Sequence, residues 1–199
     1  MERELLLAGI GGQGVQLAAQ LLAKAATRTG RHAQLFGSYG GMMRGGNTDA
    51  TLILGDAPVQ SPPMVGSAWS AIVMHNQFAR STLGRLRSGG LLVVNTSVVN
   101  TSVVTPPTLD PSIQVLALAA SELANELGAA AAASMVALGA YVAATTVVSL
   151  DALIDTLPEA LPSYRRQHVE SSARALRAGH GVGVDAGIAA PAWPIGAAA

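Results

Sequence analysis

A short apolar run that ends in closely spaced glycines constrains the fold of this chain more than any other feature. Residues 4–8 read Glu-Leu-Leu-Leu-Ala, and they lead into Gly-Ile-Gly-Gly-Gln-Gly at residues 9–14. Residues 15–29 are rich in alanine and leucine, as is typical of a helix, and Gly30 marks the end of that helix. Because glycine accepts backbone angles that other residues avoid, the pattern predicts a buried strand, a tight loop and a helix in succession.

Short apolar runs continue to alternate with helical segments along the chain. This alternation predicts an α/β fold: a three-layer, Rossmann-like domain with a largely parallel sheet covered on both faces, and a helical C-terminal half. We expect the domain to span residues 1–180, followed at 181–199 by an irregular tail that is flexible or docks on a partner. The further predicted strands are 32–36, 49–54, 71–74, 91–95 and 113–118, and the further helices are 77–87, 119–127, 130–145, 150–157 and 163–178.

Composition and charge exclude several classes of protein and of binding partner. The chain has 199 residues, of which 50% are hydrophobic and 12% are charged, and this balance excludes disorder over most of its length. Its twelve basic and twelve acidic side chains cancel, so we expect neither nucleic acid nor a membrane as a partner. A chain this apolar is expected to bury part of its surface against partner chains. It contains no cysteine, so it cannot itself hold a disulfide or a cysteine-ligated iron–sulfur cluster.

Two segments bear on where the protein is located. The acidic start, Met1-Glu2-Arg3-Glu4, lacks the basic character of a signal peptide, so we expect a cytoplasmic protein. Residues 128–150 carry no charge and are long enough to span a bilayer. They consist mostly of alanine with glycine, serine and threonine, however, and this favours a closely packed internal helix over a membrane helix.

The first glycine loop, residues 9–14, satisfies the spacing G-x-G-x-x-G. The start of the helix that follows offers free N–H groups to a phosphate or a carboxylate. A dinucleotide site would also need an acidic residue at the end of the second strand, and residues 31–39 contain none. The pattern therefore leaves open a bound anion, a dinucleotide and a tight turn with no ligand.

The second glycine loop is less ordinary, because it places one cation among four glycines. Residues 38–47 read Ser-Tyr-Gly-Gly-Met-Met-Arg-Gly-Gly-Asn. The planar guanidinium of Arg44 suits a phosphate or a carboxylate, and it suits a salt bridge to a partner subunit equally well. Met42 and Met43 fit either a core or an adaptable interface.

No set of residues forms a self-contained active site. The acidic residues are scattered, and no two histidines have metal-ligand spacing, so we predict no catalytic residue and no metal ligand in this chain. His75 stands at a predicted strand end, where ligands approach α/β sheets, although a structural role suits it better. Arg165, Arg166 and His168 have the pattern of an ordinary solvated helix face.

The order of these motifs resembles one known family. The chain is similar to the gamma subunit, or equivalent domain, of 2-oxoacid:ferredoxin oxidoreductases, and it is closest in pattern to the 2-oxoglutarate and 2-oxoisovalerate branch. The resemblance covers roughly residues 4–180. The residues that carry it are 9–14, Ser38-Tyr39-Gly40, Met43-Arg44-Gly45-Gly46, Ser61-Pro62, Asn76-Gln77, 89–95, 135–140, Val169-Glu170, Ala175-Leu176 and Gly179.

The resemblance implies a role within a larger enzyme. Such enzymes decarboxylate a 2-oxoacid on thiamine diphosphate, pass electrons through iron–sulfur clusters to ferredoxin and transfer the acyl group to coenzyme A. It implies that thiamine diphosphate, Mg²⁺ and the clusters are held by partner subunits, that ferredoxin is an indirect partner, and that this chain alone binds no cofactor. The chain would contribute interface and contacts on the coenzyme A side through Gly11, Gly12, Gln13, Gly14, Ser38, Tyr39, Arg44, Gly45, Gly46, Asn76 and Gln77.

The chain departs from the family pattern at two places, and one alternative function stays open. The family often has Pro-Glu where this chain has Gly41-Met42, so a carboxylate near Arg44 is missing, and it often has Asn where this chain has Ser134. The alternative function is that of a free-standing, Rossmann-like protein that binds a dinucleotide at the first loop.

Overall fold

Six strands form one sheet in the order β2-β3-β1-β4-β5-β6. The computed structural model describes residues 1–39, 46–62, 65–104 and 109–188, without the side chains of Ser38 and Tyr39. All the predicted strands are present, several of them longer than expected. Their bounds are β1 Glu2–Ile10, β2 His32–Tyr39, β3 Asn47–Gly55, β4 Ala68–Val73, β5 Leu86–Asn95 and β6 Gln114–Leu118.

The sheet is mixed, with its parallel part on one side. The pairs β1–β4, β4–β5 and β5–β6 are parallel, whereas β3 runs antiparallel to both β1 and β2. The seven residues 40–46 that separate β2 from β3 are too few for a parallel crossover, which needs a dozen or more residues. The expected largely parallel sheet is confirmed, with β3 as its antiparallel strand.

The helices lie mainly on one face of the sheet. Residues of α1 and α3 to α6 share a large buried cluster with one face of the strands, whereas the smaller cluster on the other face is completed by α2 and by Val99, Val104, Leu109 and Ile113. This confirms a three-layer arrangement in which one layer is thin. The helices are α1 Val15–Arg28, α2 Ala79–Leu83, α3 Ala120–Glu126, α4 Ala133–Thr145, α5 Leu150–Ala160 and α6 Val169–Asp185.

The region after β4 differs from the sequence-based expectation. A single helix over residues 77–87 is wrong: a 3₁₀ turn at Asn76–Phe78 leads into the five-residue α2, and β5 already begins at Leu86. Gly89 has φ of +73°, and Gly90 lies so close to β4 that a Cβ there would stand 2.6 Å from the Trp69 carbonyl oxygen. The glycines thus form an irregularity inside β5, where a bulge shifts the pairing register, rather than a turn before it.

Helix α4 lies at the centre of the helical layer. All of its residues except Ala143 are buried, and the hydroxyl of Tyr141 hydrogen bonds to Ser70 of β4 at 3.1 Å. Burial raises the pKa of Tyr141 far above its usual range, so this hydroxyl stays neutral. The uncharged stretch at 128–150 thus contains the buried internal helix α4, and no helix among the described residues is both long and apolar enough to cross a membrane.

Helices α4 and α6 pack with their backbones in contact. A Cβ on Gly179 would overlap the carbonyl of Val136, and a Cβ on Gly183 would stand 2.7 Å from the carbonyl oxygen of Ala140. The contacts advance together along both helices, so α4 and α6 run in the same direction. Glycines at these positions are required because no side chain fits between the two backbones.

Helix α6 also revises the expected end of the domain. It continues to Asp185, so the first residues of the expected tail at 181–199 are helical, and the helix extends beyond the expected boundary at residue 180. Residues 189–199 lie outside the described part of the chain. Whether they form a flexible or partner-docking tail stays a prediction.

Replacing Gly179 or Gly181 of α6 by alanine is expected to change the free energy of unfolding in opposite directions, because only Gly179 lies at the contact with α4. Gly179→Ala is expected to lower the free energy of unfolding by about 1–3 kcal/mol, because the new methyl group must displace the Val136 backbone. Gly181→Ala is the matched control, since a Cβ there meets nothing within 4 Å. It should raise the free energy of unfolding by about 0.5–1 kcal/mol. Urea denaturation measures both, and a Gly179→Ala chain as stable as the control would contradict this packing.

Candidate functional site

The first glycine loop turns the chain sharply between β1 and α1. Gly12 and Gly14 have φ of +101° and +76°, a left-handed region that glycine enters without strain. Gly14 is the N-cap of α1, and no side chain caps that end. The first turn of α1 also contains no acidic residue, so the positive end of the helix dipole is left uncompensated.

The side chain of Gln13 holds this loop in place. Its amide oxygen accepts a hydrogen bond from the N–H of Ile10 at 2.9 Å, and its amide nitrogen donates to the carbonyl of Met74 at 3.0 Å. The first bond closes the loop on the end of β1, and the second ties it to the residue after β4. Both polar ends of the Gln13 side chain thus have partners within the chain, so its observed contacts position the loop.

The two glycine loops meet at the same edge of the sheet. The N–H of Gly11 donates to the carbonyl of Gly46 at 3.0 Å, and Ile10 pairs with Asn47. Ser38 and Tyr39 are the last residues of β2 and pair through their backbones with β3. Arg44 and Gly45, like residues 40–43, lie outside the described residues. Of the described ends of the second loop, Gly46 is therefore joined directly to the first loop, while Tyr39 pairs with β3.

Asn76 and Gln77 follow β4 at this edge, and both are exposed. The Asn76 side-chain oxygen accepts a hydrogen bond from the Asn100 N–H at 3.2 Å, and the N–H of Gln77 donates to His75 Nδ1 at 3.3 Å. Asn76 thereby links the segment after β4 to the segment after β5. The Gln13–Met74 hydrogen bond connects this segment to the first loop.

A cleft opens beside the first loop. Two cavities of about 350 Å³ and 340 Å³ share Gly12, Gly14, Leu17 and Arg165 in their walls, and we call this joint space the loop cleft. Its far wall comes from residues before α4 and from the segment that leads into α6, including His168. Arg165 and His168 are exposed, as expected of a solvated face, and they also line the cleft opposite the first glycine loop.

The described residues offer little for catalysis or for metal binding. Among them, no group of three or more His, Asp or Glu side chains lies close enough together to hold a metal ion. The cleft wall among the described residues combines backbone groups with the side chains of Arg165 and His168.

A model of the family described as pyruvate ferredoxin/flavodoxin oxidoreductase matches residues 4–182 of this chain. The chain belongs to this family. It is 32% identical to the 2-oxoglutarate synthase subunit KorC of Methanothermobacter marburgensis over 164 residues, which cover 81% of this chain and 88% of the relative. The resemblance read from the sequence is thereby confirmed.

Solved structures agree with this membership. The gamma subunit of a keto/oxoacid ferredoxin oxidoreductase from Geobacter sulfurreducens has a TM-score of 0.77 and 28% identity, with 94% of this chain and 98% of that chain covered. A 2-oxoglutarate:ferredoxin oxidoreductase from Magnetococcus marinus has a TM-score of 0.84 at 15% identity, with 98% of this chain and 33% of that chain covered. The fold of this chain is therefore that of a gamma subunit, and it also occurs as one part of a longer oxidoreductase chain.

Sequence reasoning missed the wall of the loop cleft that lies opposite the first glycine loop. Arg165 and His168 are some 150 residues from that loop in the sequence, and no local motif marks them. Ser134 stood out only as a departure from the family pattern. In the structure its side chain lies against Gly14, where a Cβ would stand 2.6 Å from the Ser134 oxygen. Only the packing of α4 and α6 brings these residues to the loop.

Removing the side chain of Gln13 is expected to loosen the first glycine loop, because both of its hydrogen bonds are lost. Gln13→Ala is expected to cost about 1–3 kcal/mol of unfolding free energy and to speed hydrogen exchange at the Ile10 amide, because that N–H loses its acceptor. Exchange measured by NMR tests this. The matched control is Gln20→Ala, an exposed glutamine on α1 that should leave the Ile10 amide unchanged. Equal exchange at Ile10 in both variants would refute the role given to Gln13.

Proposed function

We propose that this chain is the gamma subunit of a thiamine-diphosphate-dependent 2-oxoacid:ferredoxin oxidoreductase. That complex oxidatively decarboxylates a 2-oxoacid to an acyl-coenzyme A and passes the electrons to ferredoxin. The chain supplies interface and contacts on the coenzyme A side, while catalysis takes place in its partners. The observation that carries the proposal is the family match over residues 4–182, which includes both glycine loops and α4.

The coverage of the relatives supports a subunit role rather than a complete enzyme. This chain accounts for nearly the whole of the Geobacter gamma subunit but for only a third of the Magnetococcus oxidoreductase chain. A unit that occurs in one protein as a separate chain and in another as part of a longer chain can fold on its own, and this agrees with one component of a larger enzyme. The low charge of the sequence agrees with a surface that is covered in an assembly.

The division of cofactors follows from the chemistry of the side chains. Iron–sulfur clusters are held by cysteine thiolates, and this sequence has no cysteine, so the clusters belong to partner subunits. Thiamine diphosphate is held through Mg²⁺, which prefers carboxylate and other oxygen ligands. The described residues contain no cluster of acidic side chains for it, so this cofactor is assigned to a partner as well.

The contacts with coenzyme A are assigned to the edge of the sheet where the two glycine loops meet. The Magnetococcus oxidoreductase was solved with 2-oxoglutarate, coenzyme A and succinyl-CoA bound. In our chain this edge offers an uncapped helix N-terminus at Gly14, and the same edge is predicted to offer Arg44. Both suit the phosphate groups of coenzyme A. Ser38, Tyr39, Gly45, Gly46, Asn76 and Gln77 belong to the same proposed surface.

Co-expression with the chains encoded beside it tests the subunit role. The expected result is co-purification of this chain with partners that contain thiamine diphosphate and iron–sulfur clusters, measured by mass spectrometry and cofactor analysis of the purified complex. A chain that stays a stable monomer in the presence of those partners would contradict the proposal.

Arg44→Ala in the assembled complex tests the second loop. We expect the KM for coenzyme A to rise about tenfold, or assembly to weaken, because one charge-assisted contact is worth about 1.5–3 kcal/mol. Steady-state kinetics and native mass measure the two effects. Arg177→Ala is the matched control, since Arg177 lies exposed on α6, outside both loops. Normal assembly with normal kinetics in Arg44→Ala would remove the role assigned to this residue.

The alternative, a free-standing protein that binds a dinucleotide, is not favoured. The family match covers the first loop together with most of the chain, and β2 has no acidic residue to bind a ribose. Calorimetry of the isolated chain with NAD, NADP and FAD separates the two functions, because only the alternative predicts micromolar binding.

A further inference from the structure

We propose that two copies of this chain associate through the face of the sheet that lies opposite the helical layer, at strands β2 and β3. We call this surface the open face, and it is formed by Phe36, Asn47, Asp49, Thr51 and Arg85. The contact joins two identical chains, so it goes beyond the proposed function. It can be measured on this chain alone, and it therefore holds or fails independently of the subunit role.

The buried apolar cluster on this side of the sheet does not extend to β2 or β3. Within the described part of the chain, that cluster draws its strand residues from β1, β4 and β5 and its helical residues from α2. Along β3, Ala50 and Leu52 belong to the large cluster under the helices, so Asp49 and Thr51 point to the other side, where both are half-buried. The chain thus leaves its own β2–β3 region without an apolar cover.

Phe36 distinguishes the open face from an ordinary solvated face. An antiparallel part of a sheet can face water when its side chains are polar. Phe36 pairs with Thr51, so both side chains lie on the open face, and Phe36 is 45% exposed. Among the large apolar side chains described as exposed, it is the one that belongs to a strand. Because exposed aromatic side chains anchor protein–protein contacts, Phe36 favours a protein surface as the occupant.

The open face also carries an acid and a base that lack ion pairs. Asp49 and Arg85 line one cavity of about 210 Å³. As far as the structure describes the chain, neither forms an ion pair with the other or with a third residue. The Asp49 carboxylate accepts a long hydrogen bond of 3.4 Å from the Asn47 amide nitrogen, and Arg85 donates to the Val65 carbonyl at 2.7 Å. Each charge can therefore take a partner from outside the chain.

This arrangement of charges is complementary to itself. In a two-fold symmetric contact, Asp49 of one copy faces Arg85 of the other, and the same pair repeats across the axis. One acid and one base on a single patch thus satisfy each other in both directions. The net charge of the chain is zero, so no overall repulsion opposes the association of two copies. The self-complementary charges favour a second copy of this chain as the occupant.

The side-chain oxygen of Asn47 is an independent sign of a missing partner. This oxygen is buried and has no hydrogen-bond donor among the residues with described positions, and Asn47 lines the same cavity. Buried acceptors are nearly always paired in folded proteins. A guanidinium carries five N–H donors in a planar fork. Arg85 of the second copy can therefore donate to Asp49 and to Asn47, since these two side chains are neighbours.

Sedimentation equilibrium of the full-length chain tests the contact. We expect a reversible equilibrium between monomer and dimer. Asp49→Lys and Arg85→Glu should each raise the dissociation constant of the dimer about a hundredfold, because each places like charges opposite one another at both symmetric contacts. The double variant should recover most of the affinity, since opposite charges face each other again. Arg80→Glu is the matched control, because Arg80 is exposed on α2 and does not line the cavity.

Phe36→Ala tests the aromatic contact without changing a charge. It should raise the dissociation constant about tenfold, whereas Val184→Ala, at another exposed apolar side chain, should leave it unchanged. A chain that sediments as a monomer at every concentration would overturn the proposal, and so would a double variant that associates no better than the single ones. Hydrogen exchange at residues 47–51 that slows only when partner subunits are added would assign the open face to those subunits and overturn the proposal as well.

Discussion

The contact between α4 and α6 is the packing constraint on which the candidate site depends. Three glycines of these helices, Gly139, Gly179 and Gly183, allow the two backbones to touch. Because the helices run in the same direction, the start of α6 and the segment before it extend past the start of α4. This arrangement places Arg165 and His168 opposite the first glycine loop, while α4 places Ser134 against Gly14. A looser packing of α4 and α6 would open the cleft and separate Arg165 and His168 from the loop.

The other half of the site depends on hydrogen bonds at the carboxyl ends of β1 and β4. Gln13 ties the first loop to both strands, and Gly11 ties it to Gly46 at the end of the second loop. These hydrogen bonds lie within the chain, so they hold the loop in shape without a ligand, and such preorganisation would lower the entropy cost of the binding proposed here. The uncapped N-terminus of α1 at this edge fits the proposed contact with coenzyme A. The absence of cysteine from the sequence fits the same division of labour.

Much of this fold could be predicted from the sequence, and each of the errors has a physical reason. The strands were predictable because each is a short apolar run, and the first loop because its glycines follow such a run. The prediction of a helix at 77–87 was wrong because β5 begins at Leu86, before the apolar run at 91–95, and contains Gly89 and Gly90 within the strand. The longer α6 was missed because its glycines suggested a tail, whereas they serve the contact with α4. The role of Arg165 in the cleft could not be predicted, since only tertiary packing brings it to the loop.

In the proposed assembly, the first glycine loop and the segment before α6 face coenzyme A. Hydrogen–deuterium exchange of this subunit within the purified complex, with and without coenzyme A, distinguishes this arrangement from others. Slower exchange is expected at residues 11–17 and 163–172 when coenzyme A is added, with α5 unchanged. Unchanged exchange in both segments, with protection elsewhere in this subunit, would contradict it.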